Sequence, residues 1–168
     1  LEAGGRLENC LVFSNAVTTL NHSSATGGGI DMKGGSVLNC TIAYNTSPTN
    51  GGGIFRMGGA VTNCILFGNM TNGLPNNYVG AAGAVWYSCA PELVAGQQGN
   101  IADNPLFKNP AGGNCRLATG SPCRNRGWAY ADAAADLDLD GAPRLREDAV
   151  DMGAYELLPP PGLLIVIQ

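Results

Sequence analysis

Arg6-Leu-Glu-Asn-Cys-Leu-Val-Phe-Ser-Asn15, Ser36-Val-Leu-Asn-Cys-Thr-Ile-Ala-Tyr-Asn45 and Ala60-Val-Thr-Asn-Cys-Ile-Leu-Phe-Gly-Asn69 superimpose without a gap. They share the pattern aliphatic-x-Asn-Cys-x-aliphatic-x-x-Asn and start 30 and then 24 residues apart. A second marker, Gly-Gly-Gly-Ile, runs from Gly27 to Ile30 and again from Gly51 to Ile54. A self-similar period of roughly 20–50 residues is the signature of stacked repeats. The unequal spacing places tolerated insertions at one point in each repeat.

Side-chain parity sharpens this reading. Cys40 and Ile42 lie two apart and face one side of a strand, whereas Val37 lies an odd number of positions from both. All three face inward only if the strand breaks between them. Asn39 supplies the break, because Asn tolerates the left-handed backbone region better than most residues. Two short strands meeting at an Asn corner is how a parallel β-helix turns. The expected fold is therefore all-β, a right-handed parallel β-helix (solenoid) with an irregular C-terminal cap. Its inward rows are Leu7/Val37/Val61, Val12/Ile42/Leu66 and Cys10/Cys40/Cys64. Its corner row is Asn9/Asn39/Asn63, with side-chain amides bonding along the stack, and Asn15/Asn45/Asn69 form a second candidate row. A sandwich of antiparallel hairpins is the competing reading, but hairpins do not require matched rows at a repeat period.

Composition agrees with many short strands and tight turns: 25 of 168 residues are glycine and only 13% are charged. Net charge is −4, and Lys and Arg cluster nowhere. A nucleic-acid or anionic-membrane partner, which needs a basic patch, is excluded on that ground. No apolar run reaches the length of about 18 residues that spans a bilayer. The chain opens inside a repeat at Leu1, which predicts further sequence upstream. Residues 1–89 are read as repeats, 90–158 as a last coil and cap, and 159–168 as a Pro-rich spacer with an apolar tail, Leu163 to Ile167. Asn-x-Ser/Thr matches such as Asn21 and Asn45 are expected by chance in so Asn-rich a chain.

Six cysteines suggest an oxidising compartment. Cys10, Cys40 and Cys64, in equivalent positions, point in parallel and suit a bridge poorly; they read as small buried thiols. Cys89, Cys115 and Cys123 lie outside the repeat, where a bridge is expected without the pair being assignable. Zinc is disfavoured, since His22 is the single histidine.

Beyond Cys89 the repeat decays into Asn104-Pro-Leu-Phe107, Arg116-Leu-Ala-Thr-Gly-Ser-Pro-Cys123, Asp138-Leu-Asp-Gly-Ala-Pro-Arg144 and Asp151-Met-Gly-Ala-Tyr-Glu156. This order resembles the C-terminal region of bacterial surface proteins of the pectin-lyase-like β-helix superfamily, the choice-of-anchor Q type. Asn125-Arg126 stands where that group usually has Asp-Ala. The resemblance implies a secreted or surface-displayed protein and no particular activity. Physically the segment reads as a cap on the last exposed strand edges, with Trp128, Tyr130 and Tyr155 covering the open core.

Asp136, Asp138, Asp140, Gly141 and Glu147 fit the spacing of a calcium loop, which gathers hard oxygens about a tight turn. Calcium is the one candidate cofactor. Pro143 inside the loop and a strand-like exit favour the alternative, an aspartate-rich turn whose carboxylates accept backbone N–H groups and pair with Arg144. The superfamily's lyases and hydrolases use clustered aspartates or calcium with a basic residue. From Arg6 to Cys89 this chain offers only Glu8 and Asp31 with Arg6, Lys33 and Arg56, so no catalytic residue is assigned. Asp31, Lys33 and Arg56 could share a face. The expected function is a non-enzymatic extracellular or cell-surface structural or adhesive module. One alternative is a head-to-tail filament subunit, whose partner is a second copy joined through the tail. Another is a carbohydrate-binding or lyase-like β-helix for surface polysaccharide, acting near Phe55 and Trp86 or in upstream coils.

Overall fold

The computed structural model describes residues 1–18, 26–146 and 149–158. The chain is all-β, and its main sheets are parallel. The first sheet orders Arg6–Glu8, Ser36–Leu38, Ala60–Thr62 and Val85–Trp86 side by side. The second orders Leu11–Phe13, Thr41–Ala43 and Ile65–Phe67, and the third Ile30–Met32, Ile54–Arg56 and Tyr78–Val79. Each repeat thus gives one short strand to each sheet. Antiparallel strands pair at Met70–Thr71 with Leu74–Pro75 and at Phe107–Asn109 with Asn114–Leu117, and isolated antiparallel bridges join Gly127 to Val150, Leu137 to Pro143 and Arg146 to Ala149.

The registers stack like residues. Leu7 pairs with Val37 and Val37 with Val61; Val12 pairs with Ile42 and Ile42 with Leu66. From the second repeat on, these columns are fully buried and join Cys40, Cys64, Ile54, Met32 and Val85 in one core. Each such aliphatic contributes roughly 1.5–3 kcal/mol by leaving water.

Left-handed residues make the corners. Asn9, Asn39 and Asn63 have φ of 50°, 52° and 52° between the first and second sheets. The thiols of Cys10, Cys40 and Cys64 then donate back to the carbonyls of Glu8, Leu38 and Thr62, at 2.9, 3.1 and 3.1 Å. Asn-Cys is therefore a corner unit: Asn accepts the backbone turn, and the Cys thiol adds a second donor to carbonyls that, at Leu38 and Thr62, already accept the N–H groups of Asn9 and Asn39. A corner unmarked by any one residue type follows the second sheet, at Ser14, Tyr44 and Gly68, all with positive φ. A Cβ at Gly68 would meet the Tyr44 ring at 2.7 Å, so glycine at this φ of 72° spares that ring a shift.

Two expectations are corrected. The corner amides bond along the stack only from Asn63 to Asn39, at 3.0 Å. Asn39 instead donates to the Tyr130 hydroxyl at 2.8 Å, and Asn9 Oδ1 is buried without a partner. The continuous amide row is the other one. Asn15 donates to Asn45, Asn45 to Asn69, Asn69 to Asn77, and Asn77 to Glu92, at 2.9, 2.9, 3.2 and 3.1 Å. Each amide oxygen of Asn45, Asn69 and Asn77 also accepts the backbone N–H of the preceding member. A carboxylate ends the row because it accepts without having to donate.

The C-terminal segment does not cover the open end of the core with aromatic rings. It lies along the outer face of the second sheet. The Ala154 N–H donates to Thr41 Oγ1 (3.0 Å) and the Gly153 N–H to the Asn63 carbonyl (2.7 Å). Outward-facing Ile65 and Cys89 form a second core with Ile101, Leu117, Cys123 and Met152. Trp128 stays half exposed, and Tyr155 is buried under Arg116, whose guanidinium carbon sits 4.5 Å from the ring centre. The end of the first core is closed by Ala90 and Leu93 instead.

Candidate ligand groove

The first sheet turns Val37, Val61 and Val85 inward, so their neighbours face out. Glu8, Leu38, Thr62 and Trp86 stand in one outward column by register. Beside that column rises a wall from the C-terminal segment. Floor and wall enclose two contiguous cavities that share Thr62 and Trp128. One, of about 420 Å³, also takes in Arg6, Ser36, Leu38, Tyr130 and Asp132. The other, of about 350 Å³, adds Trp86 and Tyr87. The result is a groove crossing the repeats, aromatic at one end and polar at the other.

Trp128 is anchored to the corner. Its N–H donates to Asn63 Oδ1 at 2.7 Å, and its carbonyl accepts from Asn63 Nδ2 at 2.9 Å. Both backbone polar groups are thereby fixed while half of the residue's surface remains open. Its ring lies 6.2 Å from the Tyr130 ring, at 48°. The Tyr130 hydroxyl accepts from Asn39 and donates to Asp136 Oδ2 at 2.6 Å. Burial, and then the neighbouring Asp136 carboxylate, push that hydroxyl up to about 12. At the other end Tyr87 sits in the left-handed region, at φ 47°, with its ring over Gly99. Arg6 is paired with Glu8 at 2.6 Å.

The wall is braced by the motifs that mark the C-terminal segment. Asp138 Oδ1 accepts the N–H groups of Asp140 and Ala142, at 2.9 and 2.8 Å, and Oδ2 accepts that of Glu156 at 2.7 Å. Asp140 is gripped by the Arg116 guanidinium, which holds its carboxyl below the ordinary range. Asp151 accepts the N–H groups of Asn125 and Leu157, at 2.7 and 2.6 Å. Arg144 is wholly buried and donates to the carbonyls of Asp151 and Gly153, at 3.3 and 2.9 Å. Its Nη1 lies 3.4 Å from Glu156 Oε1.

This geometry spends the candidate calcium aspartates separately: Asp136 on Tyr130, Asp138 on backbone donors, Asp140 on Arg116. Glu147 lies outside the described residues. Among the described residues no three His, Cys, Asp or Glu side chains gather to hold a metal ion. Nor do Asp31, Lys33 and Arg56 converge, since Lys33 pairs with Glu2 at 2.9 Å and Arg56 Nε donates to the Gly59 carbonyl at 2.9 Å. Trp86 lines the groove, but Phe55 belongs to the third sheet and does not. Trp128, Tyr87 and Thr62 were not marked by the repeat. Thr62 alone was findable, from its parity with Val61.

His22 and the tail Leu163 to Ile167 lie outside the described residues. Among the described residues no helix is long and apolar enough to cross a membrane. Comparison with known proteins finds no matching family model, curated sequence or solved structure.

Proposed function

We propose that this chain is a right-handed parallel β-helix module of an extracellular or cell-surface protein, and that it is a non-enzymatic adhesive module gripping polysaccharide in the groove over its first sheet. The parallel registers and recurrent left-handed corners support the β-helix. The ordered motifs of the C-terminal segment, with their resemblance to choice-of-anchor Q surface proteins, support the location. The observation that carries the ligand class is Trp128, an open indole anchored through both backbone polar groups beside Trp86 and Tyr87. The face of a pyranose presents C–H bonds that stack on the electron-rich face of an aromatic ring. A rigid platform loses little conformational entropy on binding. A groove crossing successive repeats suits an extended chain of sugars, whose hydroxyls meet Ser36, Thr62 and Asp132.

Its lining supports a binding role over a hydrolytic one. Asp132 lines it and Glu8, in the floor column, is already paired with Arg6 at 2.6 Å, whereas glycoside hydrolysis generally uses two carboxyl groups flanking the scissile bond. Affinity electrophoresis against neutral and uronate-containing polysaccharides tests the proposal. The wild type is expected to be retarded by at least one, and Trp128→Ala to weaken that binding roughly tenfold, about one stacking contact. Equal retardation of both proteins, or none with any polysaccharide, overturns the ligand assignment. Release of unsaturated or reducing sugar ends would overturn the non-enzymatic reading.

A further inference from the structure

The second core brings together two thiols from different layers. Cys89 follows Ile65 on the outer face of the second sheet, joined by a parallel bridge, and so leaves the inward row of Cys10, Cys40 and Cys64. Its N–H donates to the Cys64 carbonyl at 2.8 Å and its own carbonyl accepts from Leu66 at 2.8 Å, which fixes its backbone. Cys123 arrives from the C-terminal segment. Its N–H donates to Ser121 Oγ at 3.1 Å and its carbonyl accepts from Met152 at 3.0 Å. Both residues are 0% exposed and belong to one buried cluster, where the Cys89 thiol donates to the Asp103 carbonyl at 3.2 Å.

We propose that Cys89 and Cys123 form the protein's disulfide, stapling the C-terminal segment to the outer face of the second sheet. The other four cysteines are excluded by their surroundings. Cys10, Cys40 and Cys64 are stacked at matching positions, where side chains run parallel rather than converging. Cys115 is buried outside the second core. Cys89 and Cys123 instead come from two different layers that meet in that one core, which is where a bridge would staple them.

The reaction is thiol–disulfide exchange with a small disulfide such as oxidised glutathione. One cysteine attacks the oxidant as thiolate and releases one thiol. The second then attacks the mixed disulfide and releases the other. One S–S bond forms for the one broken, and two electrons and two protons pass to the oxidant. Both thiols are out of reach of an oxidant once the fold is closed, so exchange proceeds before the segment closes over the sheet. Once closed, the same burial shields the bridge from reductants. This assignment stands independently of the polysaccharide reading.

The test is refolding of the reduced full chain in a glutathione redox couple, then alkylation in denaturant and peptide mapping. Expected is a loss of about 2 Da, four alkylated cysteines and one cross-linked peptide pair carrying Cys89 and Cys123. For the loop closed between them, reduction in denaturant followed by refolding without oxidant lowers the Tm by about 10 °C. Cys115→Ser keeps the bridge and the redox-dependent Tm. Cys123→Ser loses both. Six alkylated cysteines after refolding, or a bridge to Cys115 or to the stacked row, overturns the assignment, and mapping of the wild type decides it even if Cys123→Ser fails to fold.

Discussion

Glu156→Gln is the substitution whose outcome follows most directly from the geometry. The Glu156 side chain is 2% exposed and lies 3.4 Å from Arg144 Nη1. Both its oxygens accept from the Asp151 N–H, at 3.1 Å each. Burial pushes its carboxyl up to about 8, the Arg144 charge pulls it down, and Asp151 and Asp138 push it further up. The unfolded carboxyl titrates at 4.5. Between these values the folded chain holds a proton that the unfolded chain has released, so stability falls as pH rises. The contribution is fully present below pH 4.5 and exhausted above about 8. The interval corresponds to about 3–5 kcal/mol, which for a chain of this size moves Tm by roughly 10–15 °C. Urea denaturation at pH 5, 7 and 9 measures it. Gln mimics the protonated acid, so the variant is expected to match the wild type at pH 5 and to exceed it at pH 9. A smaller slope remains from Asp151, whose carboxyl burial also raises, and near pH 9 from the Cys115 thiol, which burial pushes up to about 11. A wild type whose stability is flat or rising from pH 5 to 9 refutes the reasoning, as does a Gln variant that keeps the full slope.

Three further outcomes are expected. Asn69→Ala strips the fully buried Asn45 of a side-chain acceptor and the Ile42 carbonyl of its donor, and costs about 3–5 kcal/mol by urea denaturation, while exposed Asn15→Ala costs about 1. Ile42→Ala empties the middle of an inward column and costs about 2–5 kcal/mol in the same assay; under 1 kcal/mol would show that the column is not closely packed. A chelator leaves Tm unchanged, since Asp136, Asp138 and Asp140 already have protein partners; a calcium-dependent rise of several degrees in differential scanning calorimetry would return those carboxylates to a metal.

The repeated half was legible because each of its rules is local. An Asn before an inward Cys has to change the backbone region, and that alone fixes which of Leu7, Val37 and Val61 face the core. The amide row was harder to rank. Asn39 and Asn45 look equivalent in sequence, but only Asn45 has amides above and below within reach, whereas Asn39 faces a segment arriving from 91 residues away. Sequence could not say where that segment docks. Its motifs are polar and compact, which suggests an end cap, yet the apolar partners it covers are outward residues such as Ile65 and Phe67 on a strand already assigned to the core. Both faces of that strand are apolar, and only this fact pointed to a second layer.

The same segment makes the groove, so fold stability and ligand binding are not separable there. The Arg144 N–H donates to the Asp136 carbonyl at 2.9 Å, and the Leu145 N–H to that of Ala133 at 3.2 Å. Asp136 in turn receives the Tyr130 hydroxyl, whose ring lies against Trp128. A continuous set of bonds therefore runs from the buried Glu156–Arg144 pair to the wall of the groove. Loosening that pair frees the wall before it disturbs the first core, which holds Ile42, Leu66 and Val61 on the inner faces of the sheets. An Arg144→Met variant is accordingly expected to lose polysaccharide retardation together with protection of the Trp128 amide from hydrogen exchange, while the Ile42 amide stays protected. Trp128→Ala is expected to weaken retardation roughly tenfold and keep the protection of both amides. If Arg144→Met instead weakens exchange protection uniformly from Ile42 to Trp128, the two layers unfold as one unit and the wall has no independent mobility.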